Sequence, residues 1–123
     1  MQIKELLDKV REFQLASGQL VNNKPTVLEY EDAKLRYELM YEENLEFFEA
    51  DDKVEVLDST VDQLYVLLGT INTCGMQEVV EEAFNRVHKN NMTKVVDGKV
   101  IRNSVGKILK PEGFVPVDLT DLV

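Results

Sequence analysis

The sequence is short of cysteine, of long apolar runs and of bases relative to acids, and each shortage excludes something. Cys74 is the only cysteine. A single thiol forms no internal disulfide, so the chain is not a disulfide-stapled scaffold, and a reducing cytoplasm is its expected setting. No stretch approaches the roughly 20 apolar residues that cross a bilayer. The opening MQIKELLDKVREF is charged and amphipathic, unlike a signal peptide. No repeat or low-complexity tract occurs. Lysine and arginine number 14 against 23 acids, for a net charge of −9. At that charge phosphates would repel a plain nucleic-acid binder. Neither nucleic acid nor a membrane is therefore an expected partner.

What is present is an ordinary globular composition, 44% hydrophobic and 30% charged over 123 residues, enough for one domain with one core. Ile3, Leu6, Leu7, Val10 and Phe13 recur at helical spacing and predict a helix over about 2–16. SGQLVNNKPT reads as a loop. A long helix follows over about 28–50, with Leu35, Leu39 and Leu45 on its apolar side. Asp51 or Asp52 is placed to cap a third helix over about 53–73. A fourth covers about 76–90. Beyond Asn90 the helical pattern fails, and Asp97-Gly98, Gly106 and Pro111-Glu112-Gly113 signal turns. The expected fold is all-α: a four-helix bundle, in one domain of residues 1–123, with a basic and mostly non-helical segment from about 91. Leu64, Val66, Leu67 and Leu68 circle the third helix. A helix apolar on several sides needs partners, so a homodimer or homotetramer is expected.

The charges are segregated. From Glu38 to Asp58 nine acids face Lys53 alone, and from Asn85 to Lys110 seven bases face Asp97 alone. A ligand suiting both is a metal-bound polyphosphate. Glu43 and Glu46 are three apart, and Asp58 and Asp62 four apart, so each pair shares a helix face. If the two helices are antiparallel neighbours, the acidic faces oppose each other and offer the oxygen ligands that Mg²⁺ takes. Exposed acids on helices are commonly just solvated, and Glu49, Asp51, Asp52 and Glu55 fit that description. Asp62, between Val61 and the run Leu64–Leu68, does not sit easily in solvent. Arg36 is read as an ion-pair partner orienting the acids. His88 is read as a partly buried or capping side chain. Tyr65, Phe47, Phe48 and Cys74 are read as core, and Asn72 and Thr73 as lesser candidates for a base pocket.

The blocks LRYELMYEENLE, DSTVDQLYVLLGT, FNRVHKNNMTK, DGK and GKILKPEGF resemble the all-α nucleotide pyrophosphohydrolases. These are the MazG-like proteins, the dimeric dUTPases and the phosphoribosyl-ATP pyrophosphohydrolases, and the last branch is the closest in its late signature. The resemblance runs from about Phe13 to Leu119. It implies a MazG-like fold and Mg²⁺-dependent hydrolysis of a nucleoside triphosphate to a monophosphate and pyrophosphate, with Mn²⁺ as a substitute ion. It implies Glu43, Glu46, Asp58 and Asp62 as metal ligands and Glu42 as the acid that orients or deprotonates water. Asn91 and Lys94 are the implied late Asn and Lys of the family's substrate end, and Lys94, Lys107 and Lys110 are candidates for the phosphates as point charges. Many members carry a glutamate where this chain has Ser59; the closer branch has the Asp58–Asp62 pair instead. Phage relatives that remove dGTP direct the expectation towards a purine nucleotide. The alternatives are a same-fold hydrolase of dUTP, dCTP or phosphoribosyl-ATP, and a non-catalytic helical interaction module.

Overall fold

Helix α1 spans Ile3–Ala16, and its apolar period turns Leu7 and Val10 inward. The computed structural model describes residues 1–123. Helix α2 follows over Tyr30–Glu49, α3 over Lys53–Thr73 and α4 over Val80–Met92. Two two-residue strands, β1 (Ile101–Arg102) and β2 (Ile108–Leu109), and a single 3-10 turn (Thr120–Leu122) complete the chain. The protein is all-α, with four helices and one minimal hairpin. No helix is long and apolar enough to cross a membrane. The chain divides into two compact units, Met1–Glu78 and Val79–Val123. Helix α4 thus groups with the basic segment, although the helical pattern in the sequence runs on to about residue 90.

In the first unit, α3 packs against both α1 and α2. Only three residues separate α2 from α3, and hydrogen bonds such as Gln63 Nε2 to Asn44 Oδ1 and Arg36 Nη2 to Val66 O run the pair antiparallel. The turn is stabilised at its far side. Asp52 Oδ1 accepts from the Glu55 N–H at 2.8 Å, while Glu55 Oε2 accepts from the Asp51 N–H at 2.8 Å. Two otherwise free donors are thereby satisfied.

Helix α3 ends in a Schellman motif. Met76 N–H donates to Ile71 O and Gly75 N–H to Asn72 O, with Gly75 at φ +68°. A Cβ at Gly75 would lie 1.9 Å from the Lys24 carbonyl oxygen, so both its conformation and its surroundings demand glycine. The α1–α2 loop is strapped over this helix end. Asn22 and Thr26 donate backbone N–H groups to Asn72 O and Cys74 O, and Thr73 Oγ1 donates to Leu20 O.

The centre of the unit is unexpectedly polar. Leu7, Val10 and Leu68 are its buried apolar side chains, beside buried Gln14, Arg36, Ser59, Asn72 and Thr73. Gln14 Nε2 donates to Gly69 O and Thr73 Oγ1, and Asn72 Nδ2 donates to Leu7 O and Gln14 Oε1. These bonds join α1 to α3 and remove the desolvation penalty that unpaired amides would carry. Tyr65, Phe47 and Phe48, read from the sequence as core, are instead exposed by 39%, 44% and 84%. The three helices of this unit have too little interior between them to cover both sides of α2 and α3.

In the second unit, Asp97 and Gly98 both have positive φ, and Val96 and Lys99 exchange backbone hydrogen bonds around them. This is the Asp-Gly tight turn that the dipeptide predicts. The β1–β2 hairpin pairs Ile101 with Leu109 and Arg102 with Ile108. Arg86 on α4 grips the chain end through a fork to both Asp121 carboxylate oxygens, at 2.6 and 2.9 Å. His88 is exposed on α4, so it is neither the partly buried nor the capping group expected.

Candidate metal centre

The short turn between α2 and α3 brings the acids of the two helices face to face. Carboxylate oxygens of Glu43, Glu46 and Asp62 all lie within 4.8 Å of one another. Glu43 and Asp62 are half-buried and Glu46 is exposed. Glu43 Oε2 is buried and has no hydrogen-bond partner. Its carboxyl pKa is raised, first by burial, then by the charges of Glu46 and Asp62, a hydrogen bond with Glu46 and the charge of Glu42. Three carboxylates this close repel one another, and a buried carboxylate oxygen lacking a donor is costly. A hard divalent cation answers both conditions, so the residues present fit one.

The other expected ligands stand differently. Asp58 is not among the converging acids; it is exposed and lines a shallow groove with Glu46, Glu49 and Glu55. Glu42 is exposed beside the cluster, and its charge is felt at Glu43. Ser59 is buried, and its hydroxyl donates back along its own helix to Glu55 O at 2.8 Å, so it offers nothing to the cluster.

Arg36 does not orient the acids. It is 7% exposed and donates to Thr70 Oγ1, Gln19 Oε1 and Val66 O, at 3.0, 3.2 and 2.7 Å. Burial lowers its pKa, with the Cys74 thiol acting weakly in the opposite direction. Helical phase explains the correction: Arg36 reaches α3 one and two turns beyond Asp62, towards the far end of that helix. Asn72 and Thr73 are locked in the buried amide network and line no base pocket. The sequence carried one unused sign of this network, polar Gln14 within the apolar period of α1.

The expected substrate contacts all fall in the second unit. Lys94 Nζ donates to Asn91 Oδ1 at 3.1 Å. Lys94 and Lys110 both place their ammonium groups over the Phe114 ring, 5.6 and 5.7 Å from its centroid. Lys107 is exposed beside the hairpin turn, where its backbone N–H donates to Asn103 Oδ1. The ring gathers two cations that no carboxylate neutralises.

Comparison with known proteins adds one match. A sequence model described as phosphoribosyl-ATP pyrophosphohydrolase covers residues 10–91, about two thirds of the chain and all three converging acids. No curated protein gives a significant match.

Proposed function

The chain belongs to the phosphoribosyl-ATP pyrophosphohydrolase family, a branch of the MazG-like all-α nucleotide pyrophosphohydrolases, and from that membership we propose a divalent-metal-dependent nucleoside triphosphate diphosphatase. It would cleave a (d)NTP between the α and β phosphates, giving a monophosphate and pyrophosphate. The observation that carries the reading is the convergence of Glu43, Glu46 and Asp62 around an unpartnered buried oxygen. In this proposal those three carboxylates hold Mg²⁺ or Mn²⁺, and Asp58 extends the set along α3. When bound, such an ion supplies a Lewis acid for phosphoryl oxygens and makes a coordinated water more acidic. Glu42, exposed beside the cluster, accepts the proton of the attacking water. Asn91, Lys94, Lys107 and Lys110 offset charge on the phosphates.

The test is a screen of ribo- and deoxynucleoside triphosphates with Mg²⁺ and Mn²⁺, with pyrophosphate and monophosphate identified as products. Phosphoribosyl-ATP belongs in the same screen, because the matched family is described by that substrate and it carries the same α–β linkage. Hydrolysis of a triphosphate, lost in Glu46→Gln, supports the reading. Activity on phosphoribosyl-ATP alone transfers the reading to the second substrate. No pyrophosphate from any of them refutes both.

We further propose that the working form is a homo-oligomer. Tyr30, Tyr37, Tyr41 and Phe48 are exposed by 74%, 69%, 58% and 84%. They occur at i, i+7, i+11 and i+18 on α2, so they align along one line of the helix. That line lies opposite the side carrying Glu43 and Glu46. A line of exposed aromatic rings in a chain of net charge −9 suits a second copy better than solvent. Light scattering at micromolar concentration should give a multiple of 14.1 kDa; a monomer mass would overturn this.

A further inference from the structure

A cavity of about 130 Å³ lies where α1, α2 and α3 meet. Val10 and Gln14 of α1, Arg36 and Leu39 of α2 and Gly69 of α3 wall it, and all of these but Leu39 are buried. The two exposed members of its lining, Phe13 and Tyr65, form its mouth; they are exposed by 51% and 39%. Their rings meet edge to face, with centroids 5.9 Å apart.

Helical phase puts this cavity and the acids on one side of the α2–α3 seam. At about 100° per residue, Leu39 and Arg36 are about 40° and 20° round α2 from Glu43. Tyr65 and Gly69 are about 60° and 20° round α3 from Asp62. Leu39 precedes Glu43 and Tyr65 follows Asp62, so on antiparallel helices both offsets point the same way. At 1.5 Å per residue they amount to about 6 and 5 Å along the axes, and Arg36 and Gly69 are about 11 Å from the same acids. A ligand with its phosphates at the acids that extends along this side therefore meets the rings at the mouth first and the cavity next.

The mouth and the cavity differ in what they accept. An exposed aromatic face close to a phosphate site suits a heteroaromatic ring, because every nucleobase has a π-face to stack. The cavity has room for about four water molecules, enough for the leading edge of such a ring and too little for a whole nucleoside. Its far wall is polar. Arg36 has five N–H donors and spends three of them on Thr70, Gln19 and Val66, so two remain for the polar edge of a base.

We propose that Phe13 and Tyr65 form the platform on which the substrate's nucleobase stacks, with the edge of the base entering the cavity towards Arg36. The proposal rests on the diphosphatase reading for the position of the phosphates. Stacking of this kind tolerates any base, so the platform supplies affinity for a nucleotide over a bare polyphosphate.

The experiment is calorimetric titration of the full-length protein with Mn²⁺ and GMP, AMP, UMP or CMP. Inorganic tripolyphosphate with Mn²⁺, which has no base, reports on the acids alone. Phe13→Leu and Tyr65→Leu each remove a ring and keep an apolar side chain at an exposed position, and Tyr65→Phe keeps the ring. Leucine at either position should weaken every monophosphate about tenfold and leave tripolyphosphate binding unchanged, while Tyr65→Phe binds as the wild type does. Wild-type affinity in both leucine variants, or no monophosphate binding at millimolar concentration, overturns the platform. So does an equal loss of tripolyphosphate binding, which marks a structural effect on the hairpin. If the monophosphate pattern holds while no triphosphate is hydrolysed, the diphosphatase reading fails and the platform stands.

Discussion

Replacing Glu43 with glutamine should stabilise the metal-free protein and abolish its response to metal. In the structure Glu43 stands within 4.8 Å of both Glu46 and Asp62. Two unit charges at that distance repel by about 1 kcal/mol in a water-like dielectric, so losing two such pairs is worth roughly 2 kcal/mol at low salt. For a chain of this length that is a rise in Tm of about 8 °C. The shift should shrink in molar salt, where the screening length falls to about 3 Å. With Mn²⁺ at a hundred times its Kd, the wild type should gain about 2.7 kcal/mol and the variant little of it. The pH dependence has a definite sign. Because the Glu43 pKa is raised in the fold, the folded state holds this proton more tightly than the unfolded chain. Its contribution is fully present below the ordinary carboxylate pKa and is lost as pH rises through the raised value. Metal-free wild type should therefore gain stability on mild acidification, and Glu43→Gln should lose that part of the slope. Thermal melts across pH and Mn²⁺ concentration measure all of this. A variant less stable than wild type without metal, or one keeping the full Mn²⁺ shift, refutes the reasoning.

Gly75→Ala should cost more than the roughly 1 kcal/mol typical of a point substitution, since its Cβ meets backbone at Lys24 and its φ is +68°; denaturant melts would show it. Asp52→Ala removes the α3 cap and should cost about 1 kcal/mol, with little effect on metal affinity by titration. Lys94→Ala should raise KM for the triphosphate severalfold while leaving Mn²⁺ affinity of the free protein unchanged; an unaltered KM would remove Lys94 from the substrate contacts.

Local signals in the sequence led far into the structure. The apolar period of α1, the Asp52 cap and the Asp97-Gly98 turn each act within a few residues, and all three appear as expected. The start of α4 does not. The pattern suggests about 76, but the Schellman ending of α3 carries the chain through a turn, and α4 begins at Val80. Glu43, Glu46 and Asp62 were legible because a three-residue turn makes their helices neighbours. Arg36 was misread because its partners, Gln19, Val66 and Thr70, lie 17 to 34 positions away, and no periodicity links such distant residues.

That difference in range has a dynamic consequence. The acid cluster is built on one helical hairpin, closed by a short capped turn. The loop strap is held from outside its own segment, by bonds such as Thr26 N–H to Cys74 O, Asn22 N–H to Asn72 O and Arg36 to Gln19. Loop segments open at lower free energy than helical cores. The strap can therefore lift while the hairpin stays closed, so that ion capture does not depend on it. Warming or mild denaturant should raise backbone hydrogen exchange at Asn22 and Thr26 before it erodes the affinity for metal.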